Sequence, residues 1–317
     1  MLAVAELVLP LFGLIFLGYV AGRLARIPFE GLAWMNFFIV YAALPALFYQ
    51  LLSNTPVEQF SNVSFIAVSI LATFIIFCLV FLLAKKHNGN NTSEATIQGL
   101  AAAYGNIGYL GPPLALAAFG PAAGVPVALI FCFENAMHFT LAPLLIALDH
   151  KEQQQAAKLV KGILYSIFTH PFILATIAGV LAAVFSFKPP TAVASLLEFL
   201  AGAAGPCALF TMGVTAALRP LKRIPFELSY ILPVKLVLHP LLAYLLLIWL
   251  VPGLDPIWLY SAVLLATLPT ATNVFVIAQQ YNVWQERASS VVVISTLFAV
   301  ISVTTFLFMV QSGWMNR

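Results

Sequence analysis

Apolar residues in this chain fall into long runs, separated by short polar or turn-forming punctuation. A helix that crosses a bilayer needs about 20 mostly apolar residues. Runs of that kind occupy 3–22, 32–52, 63–84, 95–118, 123–148, 161–185, 192–218, 227–251, 257–280 and 287–312, which predicts ten spans. The punctuation includes Ser53-Asn54-Thr55-Pro56, Lys85-Lys86-His87-Asn88-Gly89 and the stretch from Asp149 to Gln155. The first run has no basic residue before it and Arg23 and Arg26 after it. A signal peptide has its positive charge first and a shorter apolar core, so the run is read as span one.

Composition removes the soluble alternative. The chain is 62% hydrophobic and 8% charged, with a mean hydropathy of +1.01. A soluble domain carries about 25% charged residues to wet its surface. The net charge of +3 matters less than its distribution. With the loops numbered alternately, one side holds Arg23, Arg26, Lys85, Lys86, Lys151, Lys158, Lys161, Arg219, Lys222, Arg223 and Arg287. The other holds Lys188 and Arg317, and Lys235 lies within span eight. Cytoplasmic loops carry the excess of Lys and Arg, so the first side is cytoplasmic and both termini face out.

Ten spans divide into halves of five, 1–150 and 151–317, which enter the membrane in opposite directions. Spans two and seven carry the internal likeness: Tyr41-Ala42-Ala43-Leu44-Pro45-Ala46-Leu47-Phe48 resembles Gly202-Ala203-Ala204-Gly205-Pro206-Cys207-Ala208-Leu209-Phe210. A loop proline lies 17 residues upstream of the helix proline both times, Pro28 before Pro45 and Pro189 before Pro206. Spans four and nine correspond by order, and each holds a helix-breaking element near its middle, Gly111-Pro112-Pro113 and Leu268-Pro269-Thr270. Broken backbone at membrane depth is tolerated where protein or a wet cavity satisfies it. Paired interruptions in inverted halves point to a transporter's binding site; a pair of ordinary proline kinks is the plainer reading.

Polar residues accompany both breaks. Span four reads Gly105-Asn106-Ile107-Gly108-Tyr109-Leu110-Gly111-Pro112-Pro113, and span nine reads Pro269-Thr270-Ala271-Thr272-Asn273. Uncharged amides beside half-helix N-termini suit an anion. The candidate substrate contacts are Asn106 and Asn273, with Thr270 and Thr272 secondary. Gly108, Gly111, Pro112, Pro113 and Pro269 shape the break, and Asn36, Pro45 and Thr211 are candidate contacts from neighbouring spans.

Ionisable residues within the spans form a second set, since such residues at depth are costly. Glu134 and His138 share one face of span five, four residues apart, and Lys235 and His239 do the same on span eight. Two readings of Glu134 and His138 stand: a proton-carrying site, because histidine titrates near neutral pH, or a structural hydrogen-bonded pair. Lys235 either attracts charge at depth or snorkels to the cytoplasmic interface. His170 and His239 each precede a proline and read as satisfied structural histidines. Cys78, Cys132 and Cys207 sit in apolar runs without metal-ligand spacing, so neither a metal nor a cofactor is expected. Gly18-Tyr19-Val20-Ala21-Gly22 fits a small-residue helix contact, read here as a homodimer surface. Asn91-Thr92-Ser93 matches a glycosylation pattern by chance.

The motifs Asn106-Ile107-Gly108-Tyr109-Leu110-Gly111-Pro112-Pro113-Leu114 and Pro269-Thr270-Ala271-Thr272-Asn273 leading into Ala278-Gln279-Gln280-Tyr281 resemble those of the auxin efflux carrier family. Pro45 and the segment from Lys235 to Pro240 resemble it too, and the likeness runs through the whole ten-span layout. The resemblance implies an all-α fold like the bile-acid symporters, with spans four and nine crossing. Spans one, two, six and seven would form a scaffold, and three to five with eight to ten a moving transport domain. It also implies elevator-type carriage of an organic anion. The short link from Asp149 to Lys161 lacks the long central loop of plant exporters, which favours the bacterial permease branch and the cell inner membrane. The expected cargo is a mono- or dicarboxylate such as malate or malonate, in contact with lipid and coupled to a proton or sodium. An auxin-like aromatic carboxylate exporter and an anion channel are the alternatives. An intramembrane enzyme lacks a metal-binding or nucleophile motif here, and the basic residues form a topological pattern, not a nucleic-acid patch.

Overall fold

The structure, a computed structural model, describes residues 2–25, 28–87, 89, 91–149, 156–218 and 224–316. Among these residues every regular element is helical, apart from one antiparallel bridge between Gly105 and Thr270. The α-helices in chain order are α1 (Leu2–Ala25), α2 (Ala33–Phe38), α3 (Leu44–Ser53), α4 (Val63–His87), α5 (Thr92–Ala103), α6 (Gly111–Phe119), α7 (Gly124–Asp149), α8 (Ala156–Phe168), α9 (Pro171–Val184), α10 (Thr191–Leu218), α11 (Leu228–Pro233), α12 (His239–Leu250), α13 (Pro256–Thr267), α14 (Thr272–Gln280) and α15 (Gln285–Gln311). The basic residues Arg26, Lys151, Arg219, Lys222, Arg223 and Arg317, and most of the link after Asp149, lie outside the described residues.

Among the described residues, seven continuous helical stretches are long and apolar enough to cross a membrane, and they fall at the expected spans one, two, three, five, seven, eight and ten. The positions of spans four, six and nine each hold two shorter helices. The interruption in span six is one the apolar run did not reveal. Pro171 opens α9, and a proline drives the residue before it out of the helical region, so His170 is extended (φ −68°, ψ 125°).

Two further departures follow from proline. Ile39–Ala43 and Val234–Leu238 are single π-helical turns, followed by Pro45 and Pro240 in the first turn of α3 and α12. Widening a turn by one residue accommodates a ring that would clash with the carbonyl four residues back, and such turns cluster at functional sites. Local capping sets other boundaries. The Asn91 side chain accepts from the Glu94 amide at 2.9 Å to start α5, and Asp255 accepts from the Ile257 amide at 2.8 Å to start α13.

The bundle is apolar on its outside as well as its inside. Phe16, Phe199 and Trp249 are 68%, 80% and 80% exposed, as expected where the solvent is hydrocarbon. α1 lies backbone to backbone on α10: a Cβ added at Gly213 would stand 1.9 Å from the Ile15 carbonyl oxygen, and one at Gly18 2.1 Å from that of Phe210. The small-residue stretch of α1 is therefore a helix contact made within the chain, against α10. α3 packs on α9 and α10, whereas α4, α5, α7, α12 and α13 pack mainly among themselves; α14 packs mainly on α15, which also meets α13, α1 and α5.

Candidate functional site

The two broken spans meet at their breaks. α5 ends at Ala103 and α13 at Thr267, and the extended segments that follow run antiparallel past each other. The Asn106 amide donates to the Pro269 carbonyl at 2.7 Å, and the Ala271 amide donates to the Tyr104 carbonyl at 2.9 Å. Each break thus supplies the partners the other lacks, which is how non-helical backbone survives at membrane depth. Thr270 is absorbed into this joint: its Oγ1 donates to the Ala101 carbonyl at 2.7 Å and its amide to Ser295 Oγ at 3.1 Å. Gly105 faces Thr270, and a Cβ there would meet both the Leu265 carbonyl oxygen and Lys235 Nζ at 3.2 Å. Any larger residue there would press on the crossing.

A cavity of about 80 Å³ opens on one side of the joint. Asn106, Gly108, Thr272 and Asn273 line it, together with Tyr104 and Tyr109; Val40, His170 and Phe172 close it from α9 and the π-turn of span two. Among the described residues, no lysine, arginine or carboxylate lies on its wall. Asn273 Nδ2 donates to Tyr104 OH at 2.8 Å, and Asn106 Nδ2 reaches Met212 Sδ at 3.4 Å. A thioether is a weak acceptor that a carboxylate readily displaces. Gly108 lets Phe131 approach the break, since a Cβ there would stand 3.0 Å from its ring.

The half-helix ends differ from expectation. Thr272 and Asn273 begin α14, where first-turn amides have no intrahelical acceptor. Gly111, Pro112 and Pro113 are the first turn of α6 rather than the break itself, which covers 104–110. Prolines carry no N–H, and none of these three residues lines the cavity. Gly111 packs against the Leu265 side chain, and Pro113 faces Gly205 beside a separate apolar cleft. Pro269 sits in the joint as a carbonyl acceptor. Of the contacts expected from neighbouring spans, Asn36 reaches the site indirectly, accepting from Tyr109 OH at 3.0 Å. Pro45 and Thr211 do not line the cavity, and the buried Thr211 hydroxyl has no hydrogen-bond partner.

Behind the joint lies a closed polar network. Lys235 is 0% exposed, so it does not snorkel. Its Nζ donates to the Ala266 carbonyl at 3.3 Å and stands 3.0 Å from His239 Nδ1. His239 Nε2 is 3.2 Å from Thr73 Oγ1, which donates to Glu134 Oε1 at 2.7 Å. One arrangement of protons satisfies the whole chain: ammonium to Nδ1, Nε2–H to hydroxyl, hydroxyl to carboxylate. His239 is thus the satisfied histidine expected. His138 is not hydrogen-bonded to Glu134: neither ring nitrogen has a partner, and the imidazole stacks on Tyr104 with centroids 4.2 Å apart. Tyr104 OH donates to Asn135 Oδ1, so Tyr104 touches the cavity and the joint and reaches Asn135 and His138 on α7.

Tyr104, Thr73, Asn135 and His170 escaped the sequence reading. Thr73 is one hydroxyl in an apolar run and carries no local signal. The X-Pro step at His170 was visible, but its role as a satisfied core histidine is not what the fold shows, because it borders the cavity with Nδ1 unpartnered.

A family profile described as membrane transport protein matches residues 3–307. The chain belongs to the auxin efflux carrier family. It is a multi-pass membrane transporter. This family member is 57% identical over 313 residues to a protein of Rhizobium meliloti (strain 1021) named "Putative malonate transporter", covering 99% of this chain and 98% of that one. It is 25% identical over 304 residues to an "Uncharacterized transporter" of Methanothermobacter thermautotrophicus, at 94% and 95% coverage. It is also 27% identical over 312 residues to the mouse "Lysosomal cholesterol signaling protein", covering 90% of this chain and 35% of that longer protein.

Proposed function

We propose that this transporter is an elevator-type secondary carrier of small dicarboxylates, malonate first among them, in the cell inner membrane. The observation that carries the proposal is the antiparallel joint of the two broken spans beneath a cavity lined by amides and hydroxyls and by no fixed charge. A carboxylate there would accept from Asn106, Asn273 and the first turn of α14, whose dipole favours negative charge. The name of the Rhizobium relative supports the choice of cargo.

The ten-span inverted layout, with halves 1–150 and 151–317, rests on helices or helix pairs at all ten expected positions. Both termini outside follows from the sorting of basic residues. The packing of α1, α3, α9 and α10 on one another supports their role as scaffold, against which the remaining spans move. The coupling ion in this reading is a proton. The oriented chain from Lys235 through His239 and Thr73 to Glu134 supports it, since three short transfers interconvert an ion pair and a neutral pair. A carrier runs whichever way the gradients push, so net direction belongs to the cell.

The test is uptake of radiolabelled malonate into proteoliposomes by wild type and by the double variant Asn106→Ala, Asn273→Ala. Saturable uptake with counter-exchange that the double variant loses is expected. Conductance far above about a thousand ions per second would indicate a channel, and uptake that survives the double substitution would place the site elsewhere.

A further inference from the structure

We infer that His170 is a cargo-contacting residue that selects dicarboxylates over monocarboxylates by receiving the second carboxylate. The inference deepens the proposed function and rests on it, taking the joint as the site of the first carboxylate.

His170 reaches the cavity because of the break that Pro171 imposes. The extended residue between α8 and α9 turns its ring inwards among Phe139 and Phe172, with centroids 5.3 and 4.9 Å away. Those rings offer no hydrogen bond, and Nδ1 is buried without a partner. A buried polar atom left unpaired is disfavoured and calls for a role. The rest of the wall sharpens it. The Tyr104 and Tyr109 hydroxyls already donate to Asn135 and Asn36, Asn106, Thr272 and Asn273 belong to the joint and α14, and among the described residues His170 is the lining side chain with a ring nitrogen left to offer. It lines the cavity from the start of α9, an element separate from the joint, so the two ends of a short dianion can be held by different elements. A three-carbon diacid reads that arrangement; a monocarboxylate would leave the imidazole unsatisfied.

The experiment compares malonate with its monomethyl ester as competitors of labelled malonate uptake in proteoliposomes, for wild type, His170→Gln and His170→Phe. Wild type should prefer malonate by roughly tenfold or more, the worth of a hydrogen bond to a charged group. His170→Phe should abolish that preference through weaker malonate binding, and His170→Gln should keep part of it. A purely structural histidine would weaken both competitors in parallel and leave their ratio unchanged, which overturns the inference, as would a wild type with no preference. If wild type carries no malonate at all, the underlying functional reading fails first. His170→Gln keeps the test available should the phenylalanine variant not fold.

Discussion

The cavity above the joint and the network behind it are both polar and both draw on α7, through Phe131 and Glu134, yet they are built on opposite terms. The cavity is uncharged and open, and its amides lean on weak or exchangeable partners such as Met212 Sδ. The network is charged and closed: Lys235, His239, Glu134 and Thr73 are 0%, 2%, 6% and 1% exposed, and each link runs from donor to acceptor. Lysine and carboxylate are held at membrane depth where partners link them, and the place where cargo lands carries neither. A carrier needs that division, because a site that paired its own charges would have nothing left for an anion.

The sharpest way to break this contrast is to strand one charge. Lys235→Ala leaves Glu134 buried opposite no cation, with an expected loss of about 3–5 kcal/mol, read as a fall in thermal stability of the detergent-solubilised protein. Adding Glu134→Gln to Lys235→Met should restore most of it, since a neutral pair keeps the shape. Equal stability of Lys235→Ala and wild type would show that the network is not one unit.

Glu134→Gln alone keeps the hydrogen bond, because the amide oxygen still accepts from Thr73, but leaves Lys235 with no carboxylate to answer it. Its effect belongs to transport: the pH dependence of uptake should flatten. If rate and pH dependence both match wild type, proton coupling through Glu134 is abandoned. Asn273→Ala addresses the cavity. It removes one neutral hydrogen bond to Tyr104, about 1 kcal/mol, while Tyr104 OH keeps Asn135. Malonate affinity should therefore fall while the melting temperature barely moves. The smallest effect is expected for Asn36→Ala, which loses one half-buried hydrogen bond to Tyr109. Its stability should change by less than about 1 kcal/mol, with a modest change in uptake that would reveal whether that link restrains the cavity.

Much of this was readable from residue order alone because the causes are local. Apolar runs and loop charges report the bilayer, Gly105 to Pro113 and Pro269 to Asn273 announce breaks, and an ionisable residue in an apolar run announces itself. Local causes also explain two limits. Pro112 and Pro113 signal an interruption but not that it falls before them, because proline suits a helix's first turn. Gly18 and Gly22 signal close packing but not whether the partner is another copy or α10.

What the residues in line could not convey was partnership. Thr73 bridges to Glu134 and His239 across 61 and 166 positions, Tyr104 gathers Asn135 and Asn273, and His170 borders a cavity made by spans four, five and nine. Hydrogen bonds and cavity walls are decided by which helices become neighbours. A run of apolar residues fixes where each helix lies in the membrane and leaves open which faces meet, and that second choice is made by packing across the whole bundle.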